Sequence, residues 1–340
     1  MDYRAPWWLP GGNLQTIWAA LRGQRYKATK PQFRRERWAT PDHDFVDVDW
    51  LMDSPCNDAA MQPLLVVFHG LEGSSSSHYA EALADVAKSR GWACAVPHFR
   101  GCSGELNLAP RAYHSGDFEE IDWMLRRFKV MHPGPLLAIG ISLGGNALMR
   151  WAGEFENAAA DVVNAIASVC SPLDLTASGK AIGEGFNRQT YTRMFLGTMV
   201  PKALQKLAQH PQLFSGKALL AARDLYAFDN IFTAPLHGFT DAADYYRRAS
   251  AKPHLQRIAL PALALNALND PFVPAASLPA SRDVSASVTL WQPGQGGHVG
   301  FPVNAAVGWP QAHVCAMPMA VCDYLAQHLP FSARSLEIHG

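Results

Sequence analysis

A serine can serve as a nucleophile where a strand turns abruptly into a helix and small residues clear the space around it. Gly140-Ile141-Ser142-Leu143-Gly144-Gly145 follows the apolar run Leu136-Leu137-Ala138-Ile139 and opens a helix-like stretch from Asn146 to Phe155. This G-x-S-x-G pattern in a strand–turn–helix context is that of a nucleophile elbow. The tight turn strains the backbone at Ser142, and the glycines two residues to either side leave room for the adjoining strand and helix. The hydroxyl then stands at the sheet edge beside the positive end of the next helix. A Gly-rich turn without chemistry would share the pentapeptide, so partners elsewhere in the chain decide the matter.

A serine nucleophile needs a general base and an acid that orients that base. Gly296-Gly297-His298-Val299-Gly300-Phe301 puts His298 in a Gly-rich loop just after the strand-like Val288-Thr289-Leu290-Trp291. Upstream, the run from Ala262 to Ala267 reads as a buried parallel strand, and Asn269-Asp270-Pro271 follows it, with Asp270 placed to orient the imidazole. Ser142, Asp270 and His298 thus come in the serine–acid–histidine order that suits such an elbow. Two backbone N–H groups complete the set as oxyanion-hole donors. One is that of Leu143, directly after the nucleophile; the other is that of Leu71, in the loop His69-Gly70-Leu71-Glu72-Gly73 behind the apolar strand Leu64 to Phe68. The rivals are less well placed. Asp174 follows the preceding strand, His313 lacks flanking glycines, and Ser74 to Ser77 have no elbow and read as a cap for a helix starting near His78. His69 reads as a structural hydrogen-bonding group rather than a second base.

Through further motifs the chain resembles the YheT-like α/β-hydrolases. The likeness is carried by Gly12-Asn13-Leu14-Gln15-Thr16, His69-Gly70-Leu71-Glu72-Gly73-Ser74, Arg100-Gly101-Cys102-Ser103-Gly104, Tyr113-His114-Ser115-Gly116 and Gly140-Ile141-Ser142-Leu143-Gly144-Gly145-Asn146. Asn269-Asp270-Pro271 and Gly296-Gly297-His298 extend it, so that it runs from about residue 5 to 330. The resemblance implies a serine carboxylester hydrolase related to eukaryotic lipid-cleaving α/β-hydrolase-domain proteins. Those relatives often carry an N-terminal membrane helix, which this sequence does not predict. No histidine is followed five positions later by aspartate, so the H-x-x-x-x-D acyltransferase signature of some relatives is absent.

The elements that must position these groups alternate strand and helix, which predicts an α/β-hydrolase fold: a mostly parallel eight-stranded sheet with helices on both faces. Strands are expected over 34–40, 45–52, 64–68, 92–97, 136–141, 162–170, 262–267 and 288–291, and helices over 78–90, 118–131 and 319–328. Ser115-Gly116-Asp117 reads as an N-cap. Residues 173–250 break the alternation with amphipathic helical patterns rich in Phe, Tyr, Met and Leu, and are read as a helical cap inserted after strand 6. Most of its apolar side chains glue the cap to the core, and a minority would line an acyl pocket above Ser142. The division is therefore 1–32 as an N-terminal extension packing on the core, 33–172 and 251–340 as the hydrolase core, and 173–250 as the cap. Trp7 and Trp8 are compatible with core packing or with a membrane-interface or pocket-rim contact.

Composition agrees with a soluble enzyme, and the lipid-like character of its substrate is what the resemblance implies. With Lys+Arg and Asp+Glu both at 29, the formal charge is zero, which gives no electrostatic footprint for nucleic acid. No run of about 18 apolar residues predicts a spanning helix. The start of the chain does not read as a signal peptide. The six cysteines form no C-x-x-C pair, and Cys94 and Cys170 fall in apolar runs, which fits buried thiols in a reducing cytoplasm and no structural zinc. The expected function is a serine carboxylesterase on short-to-medium-chain, lipid-like esters, with no cofactor and no metal. Thioester hydrolysis or acyl transfer on the same triad, or a non-catalytic binding scaffold, are the alternatives. Its partner is a small-molecule ester, with peripheral membrane contact left open and oligomeric state unspecified.

Overall fold

The computed structural model describes residues 2–52 and 62–330. Eight strands form one sheet: β1 (Phe33–Ala39), β2 (Phe45–Leu51), β3 (Leu64–Phe68), β4 (Ala93–Pro97), β5 (Leu136–Ile141), β6 (Ala165–Val169), β7 (Ala262–Leu265) and β8 (Val288–Trp291). Their spatial order is β1-β2-β4-β3-β5-β6-β7-β8. β1 pairs antiparallel with β2 and β2 antiparallel with β4, and all other neighbours are parallel. The central strands β3, β5, β6 and β7 are buried along their whole length, which explains why they read as unbroken apolar runs instead of alternating ones.

The faces of the sheet are covered by α2 (His78–Ser89), α3 (Phe118–Met131), α4 (Leu143–Phe155) and α5 (Asn157–Ala160), with the last helix of the chain given below, while α1 (Gly11–Leu21) packs its Ala19 against Ala82 of α2. Alternate strand residues go to opposite cores. Leu64, Val66 and Phe68 join Ile121, Leu125, Phe128 and Trp151 from α3 and α4. Leu65 and Val67 join Leu83 and Val86 of α2 on the other side. Truncating such a fully buried Leu to Ala typically costs about 2–5 kcal/mol. These two layers hold the carboxyl edge of the sheet rigid.

Between β6 and β7 the chain forms only helices: α6 (Leu175–Ile182), α7 (Gly185–Asn187), α8 (Arg193–Gln209), α9 (Gly216–Ala221), α10 (Leu225–Ile231), α11 (Thr233–Leu236) and α12 (Ala242–Ala249), with a π-helical turn at Arg188–Thr192. This is a helical cap inserted after strand 6. α13 (Ala316–Ala326) closes the fold, packing Val321 and Leu325 into the same core as α2. Two local expectations differ, and one open choice is decided. Ser77 precedes α2 without a side-chain cap bond, because its Oγ accepts the Ser74 N–H instead, while Ser75 donates to Asp49. Asp117 precedes α3 without capping it, because its carboxylate is drawn to Arg111 at 2.5 Å. Trp7 is 89% exposed and Trp8 37%, the latter set edge-to-face on Trp18, so Trp7 is not a core residue.

Candidate active site

Ser142 sits between β5 and α4 at φ 51°, ψ −116°, a region that a non-glycine residue occupies only when its surroundings force it. The forcing is steric. A Cβ on Gly140 would lie 2.4 Å from the Gly145 Cα, and one on Gly144 would lie 2.5 Å from the His69 carbonyl oxygen. Only glycine fits at either position, so the turn folds one way and lifts the Ser142 hydroxyl above the sheet.

His298 Nε2 lies 3.0 Å from Ser142 Oγ, and its Nδ1 lies 2.8 Å from Asp270 Oδ2. The other carboxylate oxygen of Asp270 accepts the Phe272 N–H at 2.8 Å and the Val273 N–H at 3.3 Å, which fixes the carboxylate plane. Phe272 packs on the imidazole with ring centroids 4.3 Å apart. The sequence-predicted serine, acid and histidine therefore form one continuous hydrogen-bonded chain.

The Leu71 and Leu143 N–H groups have no acceptor among the described residues. Their neighbours do: Gly70 N–H donates to the Tyr79 hydroxyl, Glu72 N–H to the Tyr113 hydroxyl and Gly73 N–H to the Gly70 carbonyl. The Leu71 loop is braced on both sides. Glu72, at φ 56°, accepts from the Tyr113 hydroxyl at 3.0 Å and pairs with Lys202 of α8 at 2.8 Å. His69 is fully buried; its Nε2 accepts the Phe99 N–H, so its Nδ1 carries the proton and donates to the Gly70 carbonyl. Burial holds this imidazole down to about 3, neutral throughout the working range.

The rivals lie elsewhere. Asp174 caps α6, accepting the Ala177 N–H at 3.1 Å. His313 is stacked on Trp309 with centroids 4.1 Å apart, away from Ser142.

Sequence reasoning missed the groups that hold His298 in place. Gln15 of α1 is fully buried; its Oε1 accepts from Asn269 Nδ2 at 3.0 Å and from the Gly296 N–H at 2.9 Å, tying the acid loop to the histidine loop. Thr16 Oγ1 accepts the His298 N–H at 2.8 Å. A Cβ on Gly12 would strike the Asn269 carbonyl at 1.8 Å, so α1 docks only with glycine there. Cys170, just past β6 at φ 51°, lies beneath the same loop and accepts the Val299 N–H on Sγ at 3.2 Å. Cys170, Asp270 and His298 each bring one ligand-type atom within 4.8 Å of the others. That cluster is a poor metal nest, because His298 and Asp270 already bond each other, and burial with the adjacent Asp270 carboxylate pushes the thiol well above its usual range.

A family model of the alpha/beta hydrolase fold matches residues 63–305. "Putative esterase YheT" of Escherichia coli is 40% identical over 293 residues, covering 85% of this chain and 84% of that protein. The chain belongs to the YheT-like α/β-hydrolases. Further relatives of this hydrolase include "Phospholipase ABHD3" of Homo sapiens, 28% identical over 84% of this chain and 72% of its own, and "Monoacylglycerol lipase" of Saccharomyces cerevisiae, 29% identical over 73% of this chain and 57% of its own. Among solved structures, the Pyrococcus furiosus esterase Pf2001 matches the fold with a TM-score of 0.54 at 15% identity, over 88% of this chain and 92% of its own.

The motifs that mark this branch now have physical roles in the hydrolase. Gly12 to Thr16 clamps the histidine loop, and Arg100 ties Asp42, Asp44 and Glu120 together under β4. Asn146 of α4 donates to the Ser115 and Ala249 carbonyls and accepts the Ala251 N–H, stitching the end of the cap to the elbow helix. Between cap and elbow lies a cavity of about 170 Å³ that reaches Ser142, Leu143, Leu71 and His298. Phe195, Met199, Phe272 and Val273 supply much of its apolar wall. Among the described residues no helix is long and apolar enough to cross a membrane.

Proposed function

We propose that the chain is a serine carboxylesterase that hydrolyses short-to-medium-chain, lipid-like esters through an acyl-enzyme. The observation that carries this proposal is the chain of contacts from Ser142 Oγ through His298 to Asp270, set beside two N–H groups without acceptors among the described residues. The names of the relatives, an esterase, a phospholipase and a monoacylglycerol lipase, support the ester as the scissile bond.

In this mechanism His298 Nε2 takes the Ser142 proton as Oγ attacks the ester carbonyl carbon. Asp270 holds the proton on Nδ1 and stabilises the imidazolium that forms. The carbonyl oxygen gains negative charge and is received by the Leu71 and Leu143 N–H groups, the latter at the positive end of α4. Collapse of the tetrahedral intermediate breaks the C–O bond, and His298 returns the proton to the departing alkoxide. Water, deprotonated by the same histidine, then attacks the acyl-Ser142 ester, and collapse releases the carboxylic acid and the free hydroxyl.

The apolar cavity wall favours an aliphatic acyl chain, and its enclosure by the cap favours short-to-medium length. The buried free thiols fit a cytoplasmic location, which belongs to the same proposal. The test is pre-steady-state hydrolysis of p-nitrophenyl butyrate. A burst of p-nitrophenol stoichiometric with enzyme, lost in Ser142→Ala, is expected. Turnover that survives in that variant would remove Ser142 from the chemistry.

A further inference from the structure

Two cap helices present stripes to the cavity that are apolar except at one position each. On α6 the cavity-facing residues are Leu175, Ser178, Gly179 and Ile182, at the i, i+3, i+4, i+7 spacing of a single helix face. On α10 and its C-cap, Leu225, Phe228, Asp229 and Phe232 repeat that spacing. Ser178 and Asp229 are thus each placed inside a face that otherwise serves an aliphatic chain.

Ser178 is 6% exposed, and its Oγ has no hydrogen-bond partner among the described residues. Asp229 is 9% exposed and has no cationic partner among the described residues; its two oxygens accept from the Thr233 hydroxyl at 2.6 Å and the Tyr246 hydroxyl at 2.7 Å. Burial pushes its carboxyl up to about 6, so an added donor would relieve the charged form. Their helices come together at Tyr246. A Cβ on Gly179 would lie 2.6 Å from the ring of Tyr246, the tyrosine that donates to Asp229. Tyr245, beside it on the cavity lining, accepts the Ser115 N–H.

A plain hydrocarbon leaves this part of the cavity wall unsatisfied, whereas a hydroxyl both donates and accepts there. Resting on the ester-hydrolase reading above, we propose that Ser178 and Asp229 form a subsite for a hydroxyl group carried on the substrate away from the scissile ester. The hydroxyl donates to the Asp229 carboxylate and accepts from Ser178. The substrate class that follows is hydroxylated aliphatic esters. The hydroxyl can sit on the acyl or on the alcohol side, and two series of substrates separate these sources.

The experiment compares p-nitrophenyl ω-hydroxyalkanoates with matched alkanoates from four to ten carbons, and ω-hydroxyalkyl butyrates with matched alkyl butyrates. The readout is the ratio of kcat/KM, hydroxylated over plain, which cancels general effects on folding and on the triad. A preference of about tenfold, one well-made hydrogen bond's worth, is expected at one chain length in one series, falling towards unity in both Ser178→Ala and Asp229→Asn. A wild-type ratio near one at every length in both series overturns the subsite, and so does a preference that both variants retain. Absence of turnover with both members of every pair overturns the ester-hydrolase reading itself, and the subsite with it.

Discussion

The hydroxyl of Thr16 accepts the backbone N–H of His298 at 2.8 Å, across 282 residues of sequence. The same hydroxyl donates to the Gly12 carbonyl at 2.7 Å, so both ends of its hydrogen-bonding capacity are committed. With Gln15 holding Gly296 and Asn269, helix α1 sets the height of the imidazole over Ser142. Thr16→Val keeps the shape and removes the acceptor, leaving a half-buried N–H without a partner, which typically costs about 1–3 kcal/mol. If that cost falls on the productive position of His298, kcat drops by about tenfold with a smaller change in KM. Thr16→Ser, which retains the oxygen, restores it. Steady-state kinetics on one ester check this; a Thr16→Val enzyme with wild-type kcat would show that the clamp is merely structural.

Asp270→Asn should lower kcat by about 10⁴-fold, because an amide no longer holds the imidazole in the tautomer that accepts the Ser142 proton. Asp174→Asn removes only the charge from a helix cap and should leave kcat within a few-fold of wild type. The reverse ranking of the two variants would move the acid to the end of β6.

The cavity wall predicts a dependence on acyl length. Each buried methylene is worth about 0.8 kcal/mol, or roughly fourfold in kcat/KM if realised in the transition state. p-Nitrophenyl esters should therefore improve from acetate towards butyrate or hexanoate and then fall off where the cap closes. A steady decline from acetate upward would contradict an apolar acyl site.

Much of this was legible in the sequence because it is local. The elbow is set by glycines within two residues of Ser142, and the central strands announce themselves by unbroken apolar runs that only a doubly covered parallel sheet produces. The Ser142, Asp270 and His298 positions followed from their order and loop placement. The role of Gln15 and Thr16 was not legible although both stand in a motif that carries the family likeness, since their partners, the Gly296 and His298 N–H groups and the Asn269 amide, lie more than 250 residues away. Cys170 looked like an ordinary strand thiol, because nothing local reveals that its sulfur receives the Val299 N–H. Strand ends also shifted: the run from 162 to 170 pairs only over Ala165–Val169, since apolar flanks can be buried without joining the ladder.

Stability should fall on mild acidification. Burial holds His69 and His114 down to about 3, and His78 and His313 down to about 4. Each is neutral in the folded chain and becomes protonated on unfolding once the pH drops below about 6.5. The unfolded state then binds more protons, so stability is lost progressively between about pH 6.5 and pH 4, before carboxylates such as Asp44, lowered to about 2, are protonated. Urea midpoints measured from pH 7.5 to 4.5 check the sign. A midpoint that stays flat or rises over that range would contradict it.

The central claim is that Ser142 is the nucleophile, activated by His298. The most direct measurement is labelling of the intact protein with a fluorophosphonate, followed by mass mapping of the modified residue in the wild type and in Ser142→Ala. One adduct per chain is expected, on the peptide containing Gly140-Ile141-Ser142-Leu143-Gly144, with none in the variant. An adduct on another serine, or labelling that persists in Ser142→Ala while the fold is intact, would contradict the account.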